Sequence, residues 1–451
     1  MRVLIQLRPS PDLVSTLSDP RGTVSAADVA GGLPGVELDT AFTPVTVPRP
    51  AGDPLTLRPF DAAEDACVLV RGTLCDDRPL GPGVTVHADP AIEAVPVRAG
   101  GPPIGDWHDV ERLLNVAGLH AEGLDGDGVA LAVLDTGIDG AHTARRLGRS
   151  VTLDAGSRWN GSARPGESAT GHGTMSAFDA LIAAPHATLV DLPVLPPGRG
   201  ALLSDALSAL AGLLTALETQ PEESRALVVV SGWTVATPTL PAGYSGSTAH
   251  PRGFPGHHCG RTAQPGGYPG DAAHPGGRSG EAAHLGCYSD DAAHPVNLMI
   301  AALDRAGADV VFAAGDHGRP IAGACSHPKA LSVGAVDVNG DRLGYSSRGP
   351  GRLTARKPDV CAYAHFAGSG AFGPDEPDAG TAAAAAVTAG LVAAVRTRWP
   401  ASRLPPAELR ALLRRTAEDR SEAGFDYDYG YGSVDPAGII AALQRRARNA
   451  A

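Results

Sequence analysis

At 451 residues, 43% hydrophobic and 19% charged, the chain has the composition of a soluble globular protein with room for a large core and two domains. Forty-nine acidic against 37 basic residues leave a formal net charge of −12, which argues against a phosphate-binding surface and so against nucleic acid as a partner. The N-terminal MRVLIQLRPSPDL runs straight into a strand-like alternation without the apolar segment of a secretory signal, and no apolar run reaches the roughly 18 residues that span a bilayer. The reading is a cytoplasmic protein with no membrane partner. Its six cysteines show no CxxC spacing and read as thiols, with a Cys67–Cys75 bridge across a turn as the alternative.

Residues 1–105 are rich in Pro and Gly and carry short strand-like runs, RVLIQL, CVLVRGTL, VTVHA and IEAVPV, enough for a small strand-rich domain. From there to residue 445 the pattern alternates. Short apolar runs at GVALAVLD (128–135), ATLVDLPVL (187–195), RALVVVSGW (225–233), ADVVFAAGD (308–316) and ALSVGAVD (330–337) read as strands covered on both faces. LLSDALSALAGLLTALE (202–218) and PVNLMIAALDRAG (295–307) have the three-and-four spacing of docking helices. The spacing predicts an α/β fold, a three-layer doubly wound and mostly parallel sheet over residues 106–445.

Residues 243–295 interrupt it with a loose Gly/Pro/His/Ala repeat (GSTAHPRG, RTAQPGG, DAAHPGG, EAAHLG, DAAHPVN), which predicts a solvated insertion. Its histidines are irregularly spaced and no acidic partner recurs, so an expanded repeat is favoured over a metal site, and neither metal nor cofactor is expected.

Three stretches carry the chemistry. VLDTGIDGAH places Asp135 at the end of the first core strand, GHGTMSAF places His172 at a helix start, and GTAAAAAVTAG opens a late helix. In a doubly wound sheet the carboxyl ends of strands and the amino ends of the following helices converge on one crevice. An Asp and a His meeting there can form the orienting half of a nucleophilic triad, the carboxylate fixing the imidazole while its other nitrogen takes a proton.

These residues, with APHATLVDLPVL, YSSRGP, RKPDVCA and GYGSVDPAG, resemble the subtilisin-like serine peptidases over about residues 107–440. The resemblance implies an Asp135–His172–serine triad, in the order known for subtilisin. It also implies a peptide or protein substrate. Ala382 stands where that family has its nucleophile, and Ala386 where it has a proline. Asp316 stands where it has the asparagine that donates to the oxyanion. Ser231, Gly232 and Trp233 fall where it pairs with the substrate backbone, with Trp233 narrowing a subsite, and Gly315 lies beside them. Asp139 reads as a structural loop residue and Met175 as a packing residue.

Two functions follow from the resemblance. One is a serine endopeptidase made inert by an introduced Ser-to-Ala change at Ala382. The other is a natural pseudopeptidase that holds a peptide or protein partner without cutting it, to which Asp316 lends weight. The N-terminal region reads either as a folding and inhibitory domain or as a module that recruits a protein partner, a role the repeat insertion could also serve.

Overall fold

The computed structural model describes residues 2–8, 25–26, 29, 33–48, 66–75, 83–94, 101–157, 164–198, 200–235, 290–318, 320–421 and 423–450. In its N-terminal part, β1 (Arg2–Leu7), β2 (Val36–Leu38), β3 (Val45–Pro48), β4 (Ala66–Leu74) and β5 (Thr85–Ala88) form an antiparallel sheet. Strand β4 pairs β1, β2 and β3, and β1 also pairs β5. Cys67 lies near one end of β4 and Cys75 just beyond the other. Extended chain puts them roughly 25 Å apart, so the bridge across a turn has no turn to cross.

The run IEAVPV does not join this sheet. Its described residues lie in β6 (Ala91–Ala94), which crosses to the body of the molecule, a departure from a small sheet holding all four N-terminal runs.

The body follows in alternation: α1 (Trp107–Leu113), α2 (Val116–Ala121), β7 (Ala130–Leu134), α3 (Gly140–Leu147), β8 (Thr152–Leu153), α4 (His172–Ala183), β9 (Thr188–Leu192), β10 (Ala201–Leu202), α5 (Leu203–Glu218), β11 (Leu227–Ser231) and β12 (Trp233–Val235). Then come α6 (Pro295–Ala306), β13 (Asp309–Ala313), β14 (Ala330–Val336), β15 (Val360–Tyr363), α7 (Gly380–Arg396), α8 (Pro406–Thr416) and α9 (Pro436–Ala450). Seven strands make one parallel sheet in the order β15-β14-β13-β11-β7-β9-β8.

The strands bury both faces, and their side chains alternate accordingly. Leu131, Val133, Val228, Val230, Val311 and Leu331 pack with residues of α4 and α7 on one face. Ala132, Leu134, Leu227, Val229, Val310 and Phe312 pack with α5 and α6 on the other. This is the three-layer α/β architecture. Helix α7 is buried along all 17 of its residues, which is why it is built of alanine. Only small side chains fit between the sheet and α4, and alanine carries no helix penalty.

Most of the predicted repeat insertion lies outside the described residues. Its final unit, DAAHPVN, is the capping segment of α6, where His294 Nδ1 accepts from the Val296 amide at 3.3 Å. Among the described residues no helix is long and apolar enough to cross a membrane.

The N-terminal sheet meets α6 through two histidines. The His87 and His294 rings stand edge to face with centroids 5.1 Å apart, and His87 Nε2 bonds Gln6 Oε1 at 3.0 Å. Burial lowers the pKa of both, that of His294 to about 3, while the nearby Asp291 carboxylate pulls each the other way. A base with a lowered pKa contributes stability above its unperturbed value of about 6.5 and loses it as pH falls below that.

Asp89, which accepts from the Ser204 amide and hydroxyl at the start of α5, is pushed up to about 6 by burial, so acid favours its docked form and partly offsets the loss. Below about pH 6.5 the unfolding free energy is expected to fall by up to about 1.4 kcal/mol per pH unit for each histidine. His294→Asn keeps a capping acceptor without a titrating ring and should flatten that acid limb in denaturant titrations. An equally steep limb in the variant would clear the histidine of responsibility.

Candidate active site

Asp135 directly follows β7 and His172 is the first residue of α4, so the sheet's carboxyl edge brings them together. His172 Nδ1 lies 2.8 Å from both Asp135 oxygens, and as a carboxylate only accepts, the ring nitrogen donates. Two more donors fix the carboxylate. The Thr136 amide reaches Oδ1 at 2.7 Å, and the Ser176 hydroxyl reaches Oδ2 at 3.1 Å. Ser176 went unnoticed in the sequence, yet its place one helical turn after His172 is the available signal, because residues four apart share a helix face.

Ala382 is the third residue of α7 and is 1% exposed. Gly232, in the turn between β11 and β12, shows how closely the groups gather. A methyl group added there would meet His172 Cε1 at 2.9 Å, Asp135 Oδ2 at 3.1 Å and Ala382 Cβ at 3.3 Å. Asp135, His172 and Ala382 thus surround one point, and a side chain at 232 would collide with His172 and crowd the other two.

Asp316 follows β13 and is buried against the first turn of α7. Its Oδ1 accepts from both the Thr381 amide and the Thr381 hydroxyl, each at 2.8 Å. The same hydroxyl accepts from the Gly315 amide at 2.9 Å, and the Gly380 amide donates to Tyr345 Oη at 3.1 Å. A carboxylate at the positive end of a long helix is electrostatically well placed. Burial raises the pKa of the Tyr345 phenol, and the Asp316 carboxylate beside it adds to the rise.

The four residues read as contacting substrate separate. Ser231 ends β11 inside the central sheet, opposite Leu134 on one side and Phe312 on the other, so its backbone is already paired. Outward pairing starts two residues later. Trp233 faces Ala94, Thr234 faces Glu93 and Val235 faces Ile92, all antiparallel. On its other edge β6 pairs β10, Ile92 with Ala201 and Ala91 with Leu202. The chain's own strand therefore fills the space between β10 and β12. Trp233 opens β12 opposite Ala94. It is 6% exposed and packs edge to face on Phe312 at 5.5 Å. Gly315 touches the site through Thr381. Asp139 caps α3 through the His142 amide at 2.8 Å, and Met175 is fully buried in the core.

No curated protein matches the chain. Among solved structures, one described as a crystal structure of a lanthipeptide protease superposes with a TM-score of 0.48 at 18% identity, covering 77% of this chain and 100% of that one. Residues 280–432 match the model of the Peptidase S8, or subtilase, family. That stretch holds Asp316, Thr381 and Ala382.

Proposed function

We propose that the chain has the frame of a subtilisin-like serine endopeptidase and lacks the nucleophile that would make it one. The observation that carries this is the meeting of Asp135, His172 and Ala382 around Gly232. With Asp135 holding Nδ1, the far nitrogen of His172 is the one that would take a proton from a hydroxyl at residue 382. An alcohol so activated attacks a peptide carbonyl, and the imidazolium returns the proton to the leaving amine. Alanine has no oxygen to activate, so the chain as it stands is read as inert toward peptide bonds.

Strand β6 is the second element of the proposal. It lies where an extended substrate would add to β12, the mode in which main-chain bonds give affinity and side chains specificity. The N-terminal region is accordingly read as an inhibitory segment whose strand β6 blocks the cleft. Ile92 turns inward and is 4% exposed while Glu93 faces solvent, the alternation expected of a strand lying in a groove.

The pseudopeptidase reading also has an observation behind it. Asp316 is tied twice to Thr381, so it is built into the start of α7 rather than being a loose neighbour of the cleft. A natural binding protein would keep such a residue, and an introduced change at 382 does not account for it.

The test is covalent. A382S should react with a fluorophosphonate probe, and the same variant carrying His172→Ala should not, because the hydroxyl then has no base. Labelling of the unaltered chain that disappears with His172→Ala would place the nucleophile elsewhere and overturn the proposal.

A further inference from the structure

Two buried acids have no part in the chemistry above. Asp179 lies on α4, two helical turns beyond His172, and Asp378 lies two residues before α7. Both are fully buried. Three other acids among the described residues face cations: Asp309 meets Arg396, Asp359 meets Lys357 and Arg414, and the half-buried Asp304 meets Arg410. Asp179 meets another carboxyl. The two carboxyl groups face each other, and neither Asp179 oxygen finds a hydrogen-bond donor.

Asp378 is better supplied. It accepts from the Ser369 hydroxyl at 2.6 Å and from the Ser369 amide. Arg146 acts on it only from farther off, its Nε donating to the Gly368 carbonyl.

Two carboxylates cannot hydrogen-bond each other, and two bare negative charges in contact inside a core carry a prohibitive solvation penalty. One of them must hold a proton. Asp378 has the donors that suit an anion, whereas Asp179 has nothing but Asp378 to bond.

We infer that Asp179 is a neutral carboxylic acid whose O–H donates to the Asp378 carboxylate, and that this bond positions the entry of α7 against α4, setting residue 382 against His172. The neutral acid rests on burial and bonding alone, and its positioning role rests on the reading of the site given above. The pair joins the two elements that carry the two halves of that site. The backbone at Asp378 is already pinned, its amide to the Phe366 carbonyl at 2.9 Å and its carbonyl by the His365 amide at 2.6 Å. The side-chain bond is what ties this fixed corner to α4.

Burial and the neighbouring charge raise the Asp179 pKa well above the ordinary carboxyl range, and burial pushes Asp378 to about 6. An acid with a raised pKa stabilises the fold while protonated and loses that contribution as pH rises through its folded value. The pair is therefore a device that alkali loosens, the reverse of an ordinary salt-bridged aspartate. The titratable groups facing it are Asp378 for Asp179, and Asp179 and Arg146 for Asp378.

Infrared difference spectroscopy on the full chain tests the proton directly. At about pH 8, where an unperturbed carboxyl is ionised, the carbonyl stretch of a protonated carboxylic acid should be present and should vanish in D179N. Hydrogen exchange tests the positioning. Protection of the amides at 380–384, corrected for intrinsic base catalysis, should fall about tenfold per pH unit between the ordinary carboxyl range and the folded Asp179 titration, where opening releases one proton, and should level off above it.

D179N supplies an amide donor that does not titrate and should keep the protection at all pH values. D179L should lose it throughout. Absence of the acid band at pH 8 overturns the inference, and so does a loss of protection in D179N as large as in D179L. If D179L does not fold, the band and the pH profile of D179N against the parent chain still decide. None of these readouts needs a working nucleophile, so the inference can fail while the catalytic reading stands, and the reverse.

Discussion

A382S/D316N is expected to be phosphonylated by a fluorophosphonate about 10²–10³ times faster than A382S alone, while D316N alone stays unreactive. Removing the nucleophile of a serine peptidase costs about 10⁶ in turnover and removing one oxyanion donor about 10²–10³, both figures coming from subtilisin rather than from this chain. The first loss sets which variants react at all, and the second sets how fast.

Asparagine at 316 keeps Oδ1 as acceptor for the two Thr381 donors and turns the other oxygen into an N–H, so the change should preserve the start of α7 while supplying the missing donor. The assay is a time course of probe incorporation for the two single variants and the double variant. Equal rates in A382S and the double variant would mean that Asp316 already donates as a neutral acid. Reaction only in the double variant would favour the natural pseudopeptidase, because an enzyme disabled by one substitution needs one repair.

Gly390→Val is the second large effect, and it acts on stability. A β-carbon at Gly390 would lie 2.0 Å from the Ala180 carbonyl oxygen and 3.0 Å from its Cα, both backbone atoms that cannot swing aside. The clash falls where α7 crosses α4, the two helices that hold residue 382 and His172. Overpacking of a dense core costs about 1–3 kcal/mol even where side chains can move, and this contact leaves no such route. Valine's better helix propensity than glycine's offsets only a few tenths of this, and the loss should exceed about 3 kcal/mol. Urea unfolding of Gly390→Val beside Gly390→Ala measures it. A midpoint within error of the parent for valine would mean the helices are not packed backbone to backbone.

How far the sequence could be read depended on the range of the interaction. The five core runs fell within a few residues of β7, β9, β11, β13 and β14, because a strand covered on both faces must be apolar throughout. Strand β15 escaped because VCAY is short and sits inside a motif already noticed for another reason. Asp135 and His172 were legible from their places at a strand end and a helix start.

What could not be read depends on pairing between distant parts of the chain. The contact of β6 with β10 and β12 is set by register, and a run of four residues does not announce its partner. The Asp179–Asp378 pair is invisible for the same reason, since each residue alone looks like a surface acid. Ser231 ends β11 inside the sheet and the pairing with β6 starts two residues later, a boundary that the apolar run does not mark.

Strand β6 also bears on how the molecule behaves in a crowded solution. Short strands β10 and β12 each offer a row of unpaired amides and carbonyls once β6 is withdrawn, and such rows template association with other chains. With β6 in place both rows are closed from within, and its solvent-facing Glu93 adds a charge at the surface. Pairing of β6 is therefore expected to protect solubility. A shortened chain beginning after Ala94 would retain its helices and central sheet yet gain two sticky edges, and its first failure would be precipitation rather than unfolding.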